Sequence, residues 1–219
     1  MSLLKLENLG YKYSKIHPYV FQNLNLEFEK GKIYAIVGKS GAGKTTLLSL
    51  LSGLDNPTEG DILLNGEDIR KIDKYTFRSR DVGVVFQNFN LLPQLNAMEN
   101  VVLSMDISGK HYDDKRKTAI EILEKVGLEN DEATRRILKL SGGQQQRVAI
   151  ARAISYNPDI ILADEPTGNL DGETQEEIMK IFRMLADEGK CIILVTHSPI
   201  VANRADITYK LEKLTKKAS

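Results

Sequence analysis

Cysteine is almost missing: Cys191 stands alone in 219 residues, so no disulfide can form within the chain. It lies in the apolar run Cys191-Ile192-Ile193-Leu194-Val195 and reads as a buried, inert thiol. Net charge is missing too, with Lys plus Arg and Asp plus Glu both at 30. That balance argues against non-specific nucleic-acid binding, and no nucleic-acid partner is expected. No stretch approaches the roughly 18–20 apolar residues of a membrane span. The start, Met1 to Glu7, lacks the long apolar region of a signal peptide. The chain is therefore expected to be soluble and intracellular on its own. Apolar residues, by contrast, reach 42%, enough for a sizeable core in one large domain or a core with a lobe.

The most informative stretch is Gly38-Lys39-Ser40-Gly41-Ala42-Gly43-Lys44-Thr45-Thr46, which reads G-x-x-x-x-G-K-[ST]. An apolar run of strand type, Ile33 to Val37, precedes it, and a helix-like segment, Thr46 to Leu51, follows. Strand, glycine-rich loop and helix together make a phosphate cradle. Glycines let consecutive backbone N–H groups turn inward as a nest. The helix start adds partial positive charge and Lys44 a full one. Thr45 would place a hydroxyl on Mg²⁺.

Around this loop, residues 2–28 alternate as exposed antiparallel strands would. Tyr11 and Tyr13 lie between the first two strands; either could pack as a surface aromatic or offer a flat face to a purine. Asp55 to Gly60 breaks structure, and Asp61 to Leu64 with Asn65-Gly66 reads as a strand entering a tight turn. Residues 67–80 are charged and partly helical, and Val82 to Phe86 is a buried strand ending at Gln87. From about Ala97 to Lys139 the pattern is helical, with a helix over 113–126 capped by Asp113 or Asp114. Ser141-Gly142-Gly143 then opens a helix through Ile154, with Ser141 as N-cap and bared N–H groups as a second anion site. The apolar strand Ile160 to Ala163 delivers Asp164 and Glu165 at its carboxyl end, where ligands sit in doubly wound sheets. Asp164 is the candidate Mg²⁺ holder and Glu165 the orienter of the attacking water. Residues 174–187 form a helix, and the strand 191–195 presents His197, placed to contact a γ-phosphate. Asp206 to Leu211 reads as a last strand, and the end from Lys213 as a frayed tail.

In order and spacing, Gly38–Thr45, Gln87, Leu140-Ser141-Gly142-Gly143-Gln144, Ile160–Glu165, Asp171 and His197 resemble the ATPase cassette of ABC transporters over nearly the whole chain. The resemblance implies an α/β P-loop NTPase core, a mixed and mainly parallel sheet with antiparallel N-terminal strands, plus a helical signature subdomain. It divides the chain into a core, 1–88 with 158–219, and a lobe, 89–157. It implies ATP and Mg²⁺ as cofactors, with Tyr13 on the adenine. Gly38, Ser40, Gly41, Ala42, Gly43, Lys44, Thr45 and Thr46 would hold the phosphates. Thr45, Gln87 and Asp164 would hold the metal, with Glu165 as general base and His197 as switch. Ser141, Gly142, Gly143 and Gln144 would close over the ATP of an opposite copy, and Asp171 would lie between subunits. It also implies a homodimer on transmembrane permease subunits at the cytoplasmic face of the membrane.

Phe86 to Pro93 and Asp164 to Asp171 resemble the branch serving macrolide export, lipoprotein release, antimicrobial-peptide resistance and division-site complexes. Lys39, the lead-in Arg136-Ile137-Leu138-Lys139 and the run Leu211-Glu212-Lys213-Leu214 depart from that branch's habit. Among other classes, a soluble ribosome- or DNA-acting ATPase of this type usually carries two cassettes or a long coiled-coil insertion. A GTPase switch would show N-K-x-D, which is absent, and a non-catalytic sensor would lack Glu165 or His197.

Overall fold

The computed structural model describes residues 2–14 and 16–213, so the expected tail falls, from residue 214 on, outside the described residues. The chain opens with β1 (Leu4–Tyr11) and β2 (Phe21–Phe28), then passes through β3 (Ile33–Val37) into α1 (Lys44–Leu51). The hairpin of β4 (Glu59–Leu64) and β5 (Glu67–Asp68) turns at Asn65-Gly66, both at positive φ, as a two-residue primed turn requires. A short α2 (Lys74–Thr76) runs on as a π-helical turn (Phe77–Asp81) before β6 (Val82–Val85). Four α-helices follow, α3 (Ala97–Ser108), α4 (Lys115–Lys125), α5 (Asn130–Ala133) and α6 (Gly142–Ile154), with a 3-10 turn (Ile137–Lys139) before the last. The chain then forms β7 (Ile160–Asp164), α7 (Gly172–Asp187), β8 (Cys191–Val195), α8 (Pro199–Asn203) and β9 (Ile207–Lys210).

The strands make two sheets, an antiparallel one ordered β2-β1-β4-β5 and a wholly parallel one ordered β6-β7-β8-β3-β9. Central strands of the parallel sheet are apolar on both faces because both faces are covered. Ile161, Ala163, Ile192, Leu194 and Ile33 join a core with α3, α4, α6 and α7. The alternate residues Ile160, Leu162, Ile193, Tyr34 and Ile36 join a second core with α1 and the antiparallel sheet. The period-two alternation of β7, β8 and β3 thus sorts one sheet into two cores. Of the N-terminal strands, β2 keeps Gln22, Asn23, Asn25 and Glu27 exposed as expected, whereas β1 is not exposed: Leu4, Leu6 and Leu9 are fully buried in the second core.

Caps explain several boundaries. Asp114, not Asp113, caps α4, accepting the Lys117 N–H. Asp171 accepts the Thr174 N–H at 2.9 Å, so α7 starts at Gly172 rather than 174. Ser141 and Gln144 form a reciprocal capping box at α6. The break expected over 55–60 ends early, since β4 begins at Glu59, which already pairs with Gly10 of β1. Helix α8, capped by Ser198 with Pro199 at its first turn, was not expected from the sequence. Among the described residues, no helix is long and apolar enough to cross a membrane.

Candidate functional site

Because the sheet is parallel, four strands deliver their carboxyl ends to one edge. β3 runs into the phosphate loop, β6 stops two residues before Gln87, β7 ends on Asp164, and β8 stops two residues before His197. A cavity of about 590 Å³ lies there, lined by Tyr13, Ser40, Gly41, Gly43, Lys44, Thr45, Thr46, Gln87, Asp164, Glu165 and His197. Gly38 and Ala42, expected among the phosphate ligands, do not line it. Gly38 passes beneath the C-terminal chain, where a Cβ would stand 2.6 Å from the Leu211 carbonyl oxygen. Ala42 is buried, and its N–H donates to the Lys39 carbonyl at 3.1 Å. Ser141, Gly142, Gly143 and Gln144 do not line the cavity either; they sit on the helical segment at the start of α6.

Two glycines shape the loop. Gly41 and Gly43 take φ of +75° and +93°, and a Cβ on Gly43 would collide with Val20. Gly43 is also the N-cap of α1 and offers no capping side chain, leaving first-turn N–H groups for an anion. Lys44 is mostly buried; its Nζ donates to the Gly38 carbonyl at 2.8 Å and stands 3.1 Å from His197 Nε2. Tyr11 and Tyr13 part company: Tyr11 is buried with its hydroxyl on Asp55, while Tyr13 is 66% exposed beside the loop, its hydroxyl 2.6 Å from Thr46 Oγ1.

The two carboxylates differ in setting. Asp164 ends β7 in register with Val195. Burial pushes its carboxyl above the ordinary range and the Glu165 charge adds to this, against Lys44, a hydrogen bond with Thr45 and His197. Glu165 leaves the strand in the left-handed region, φ 46°, with its N–H on the Val195 carbonyl at 2.9 Å and its carbonyl accepting the Gly168 N–H at 3.1 Å. That conformation is strained for a residue with a Cβ, and the surrounding bonds hold it. Glu165 Oε2 accepts the His197 N–H at 3.1 Å. Its Oε1 is buried with no hydrogen-bond partner, His197 Nε2 being 3.4 Å away. A buried acceptor of this kind suits a proton donor that arrives with substrate.

Thr45, Gln87 and Asp164 line the cavity with hydroxyl, amide and carboxylate oxygens, a hard-oxygen set that fits Mg²⁺. Gly168 and Val195 also line the cavity and were not expected there. The turn residues Glu165-Pro166-Thr167-Gly168 carried a signal for the first; nothing local marked the second.

A second cavity, of about 420 Å³, lies between the sheet edge and α3, lined by Leu54, Val84, Phe86, Leu92, Leu103 and Ile107 with Arg78 and Arg152. Arg152 donates to the carbonyls of Phe89, at 2.8 Å, and Asn90, and Arg78 to that of Gly53 at 3.3 Å. Burial lowers the pKa of the Arg152 guanidinium. Phe89 lies outside this cavity and packs on the first core instead.

Comparison with known proteins agrees with this geometry. The ABC transporter family model matches residues 21–168. The ABC transporter ATP-binding protein YclH of Bacillus subtilis (strain 168) is 48% identical over 214 residues, 97% of this chain and 95% of that protein. The macrolide export ATP-binding/permease protein MacB of Syntrophobacter fumaroxidans is 42% identical over 213 residues, 94% of this chain but 30% of that longer protein. The cassette MJ0796 of Methanocaldococcus jannaschii, solved as a dimer, superposes with a TM-score of 0.84 at 40% identity, covering 97% of this chain and 99% of that one. In a post-hydrolysis state bound to ADP and Pi, MJ0796 gives a TM-score of 0.85 at 40% identity, covering 95% and 94%. The chain belongs to the ABC transporter family, as an ATP-binding ATPase subunit.

Proposed function

We propose that two copies of this chain close head to tail over two ATP molecules and drive a transmembrane permease at the cytoplasmic face of the membrane. The carrying observation is that, among the described residues, two glycine-opened helix starts suit anions and just the first faces the nucleotide cavity. Gly43 opens α1 inside the cavity, whereas Ser141 and Gly142 open α6 outside it and are exposed. A second copy turned through a two-fold axis lets each phosphate chain meet both. Ser141, Gly143 and Gln144 then close on the partner's γ-phosphate, and Asp171 lies at the subunit boundary. The lobe over 89–157 is taken to shift against the core over 1–88 and 158–219 as the sandwich closes.

Within each site, Tyr13 stacks on adenine, while Lys44 and the amides of the loop hold the β- and γ-phosphates. Mg²⁺, held by Thr45, Gln87 and Asp164, would neutralise phosphate charge. Glu165 accepts the proton of the attacking water through its unpartnered Oε1, and His197 steadies the γ-phosphate from β8. A short helix of the permease would lodge in the apolar groove of Leu54, Leu92, Leu103 and Ile107, which also includes Phe86, the neighbour of Gln87 in the chain. Glu165→Gln tests the sandwich: it should pass from monomer to dimer by light scattering when MgATP is added. A protein that stays monomeric at saturating MgATP refutes it.

A further inference from the structure

The helix that opens at Ser141 and the helix that opens at Asp171 are laced together inside one subunit. Gly143 lies so close to α7 that a Cβ there would stand 2.6 Å from Thr174 Cγ2. Thr174 in turn donates its N–H and its hydroxyl to Asp171, at 2.9 and 3.0 Å. One turn further along α6, Arg147 Nη2 pairs with Glu177 Oε2 at 2.6 Å, and Nη1 donates to the Val126 carbonyl at 2.5 Å. Residues 143 and 147 lie on one stripe of α6, and 174 and 177 on one stripe of α7, so the contacts are successive rungs between two helices. The guanidinium has a fitted seat: its side chain is 15% exposed, and Gly127, at φ +79°, would put a Cβ 2.6 Å from Nη1.

The ladder leads to the catalytic turn. Leu170 donates its N–H to the Thr167 carbonyl at 3.2 Å, Gly168 to that of Glu165 at 3.1 Å, and Asp171 follows at once as the cap of α7. Neither Arg147 nor Glu177 lines the nucleotide cavity. Packed helices and hydrogen bonds therefore connect the start of α6 to the segment that holds Glu165.

We propose that Arg147 and Glu177 are positioning residues that couple the two nucleotide sites of the dimer, by fixing the Ser141 helix start against the turn from Glu165 to Asp171. The inference rests on the head-to-tail reading above, in which Ser141 touches the partner's nucleotide while Glu165 serves the subunit's own. Arrival of ATP on one site then biases the catalytic turn of the other, and by linkage the effect is reciprocal.

The test compares Glu177→Gln and Glu177→Lys with Glu188→Gln. Glu188 pairs with Lys125 at 2.6 Å, which ties the helical segment to the far end of α7 and so controls for mere attachment. ATPase rates are measured against MgATP concentration, alongside thermal midpoints and binding of a fluorescent ATP analogue to dilute monomer. Glu177→Gln should bring the Hill coefficient of the wild type down toward one. It should also raise the half-saturating MgATP about two- to fivefold, the factor expected of a partly exposed ion pair. Glu177→Lys should do more and lower the thermal midpoint, because it sets a second cation against Arg147, while Glu188→Gln should leave the Hill coefficient alone; monomer binding should be unchanged throughout, and the midpoint unchanged in the two Gln variants. Wild-type hydrolysis without cooperativity, or equal effects of Glu177→Gln and Glu188→Gln, overturns the coupling. Failure of Glu165→Gln to dimerise with MgATP overturns the sandwich itself. Dimerisation together with an unchanged Hill coefficient in Glu177→Gln overturns the ladder alone.

Discussion

Replacing Glu165 by Gln isolates one job, because the shape and most of the contacts survive. The amide oxygen still accepts the His197 N–H that Oε2 now takes at 3.1 Å, and the backbone bonds to Val195 and Gly168 do not involve the side chain. What disappears is the proton acceptor at the buried, unpartnered Oε1. Loss of a positioned general base lowers rate by about 10²–10⁴, equivalent to about 2.7–5.4 kcal/mol of transition-state stabilisation. Binding should move the other way. The Glu165 charge helps hold the Asp164 carboxyl above its ordinary range, second to burial, so removing it eases ionisation of Asp164 and favours a cation there. A raised carboxyl pKa in the folded state costs stability once pH is above it, and the cost fades as pH falls through it. Glu165→Gln should thus raise the nucleotide-free thermal midpoint at neutral pH, with the gain vanishing below the raised Asp164 range. Single-turnover ATPase assays, MgATP titration calorimetry and melts across pH report the three quantities. Turnover within tenfold of wild type, or clearly weaker MgATP binding, refutes the assignment.

Gly43→Ala forces a Cβ into the left-handed region, costing about 1–2 kcal/mol from that alone, and against Val20; melts and nucleotide binding should both suffer, and unchanged binding would show the loop tolerates it. Lys44→Ala should abolish detectable MgATP binding by calorimetry while leaving circular dichroism unchanged. Leu92→Asp, on the groove rim, should remove stimulation by the permease without altering the ATPase rate of the isolated subunit, whereas Phe89→Asp should also lower the thermal midpoint, because Phe89 packs on the first core. Cys191, fully buried with its thiol pushed up to about 12 by burial, should resist iodoacetamide at pH 8 in the folded protein and react only after unfolding, as mass spectrometry would record.

Strand and helix identities were legible because their patterns are local. Runs such as Ile160 to Ala163 and Cys191 to Val195 can only be central strands once helices cover both faces, and Ser141, Asp114 and Asp171 mark helix starts by capping chemistry. Less legible was anything set by tertiary placement. The polar alternation of residues 2–28 marks strands but not which face meets α1, and β1 proves buried. Gly38 and Ala42 belong to the loop by motif, yet one serves a close passage under Leu211 and the other packs inward. Arg152 and Arg147 carry no local signal at all, since their partners are carbonyls and carboxylates brought near only by the fold.

The pair Asp164-Glu165 shows where the boundary falls. Two consecutive carboxylates at a strand end would simply alternate across the sheet if the strand continued. Asp164 does continue it, in register with Val195, and so keeps its carboxyl buried beside Lys44 and Thr45, where like charge is costly and a cation is welcome. Glu165 breaks it by turning to φ 46°, a conformation stabilised by the Val195 carbonyl on one side and the Gly168 N–H on the other. The turn swings the second carboxylate under the His197 backbone and leaves one oxygen without a partner. The proposed division of labour between metal holder and base thus rests on a strained backbone rather than on the residue types. The same strain explains why Gly168 belongs to the site although it carries no side chain: its N–H holds the turn at the Glu165 carbonyl.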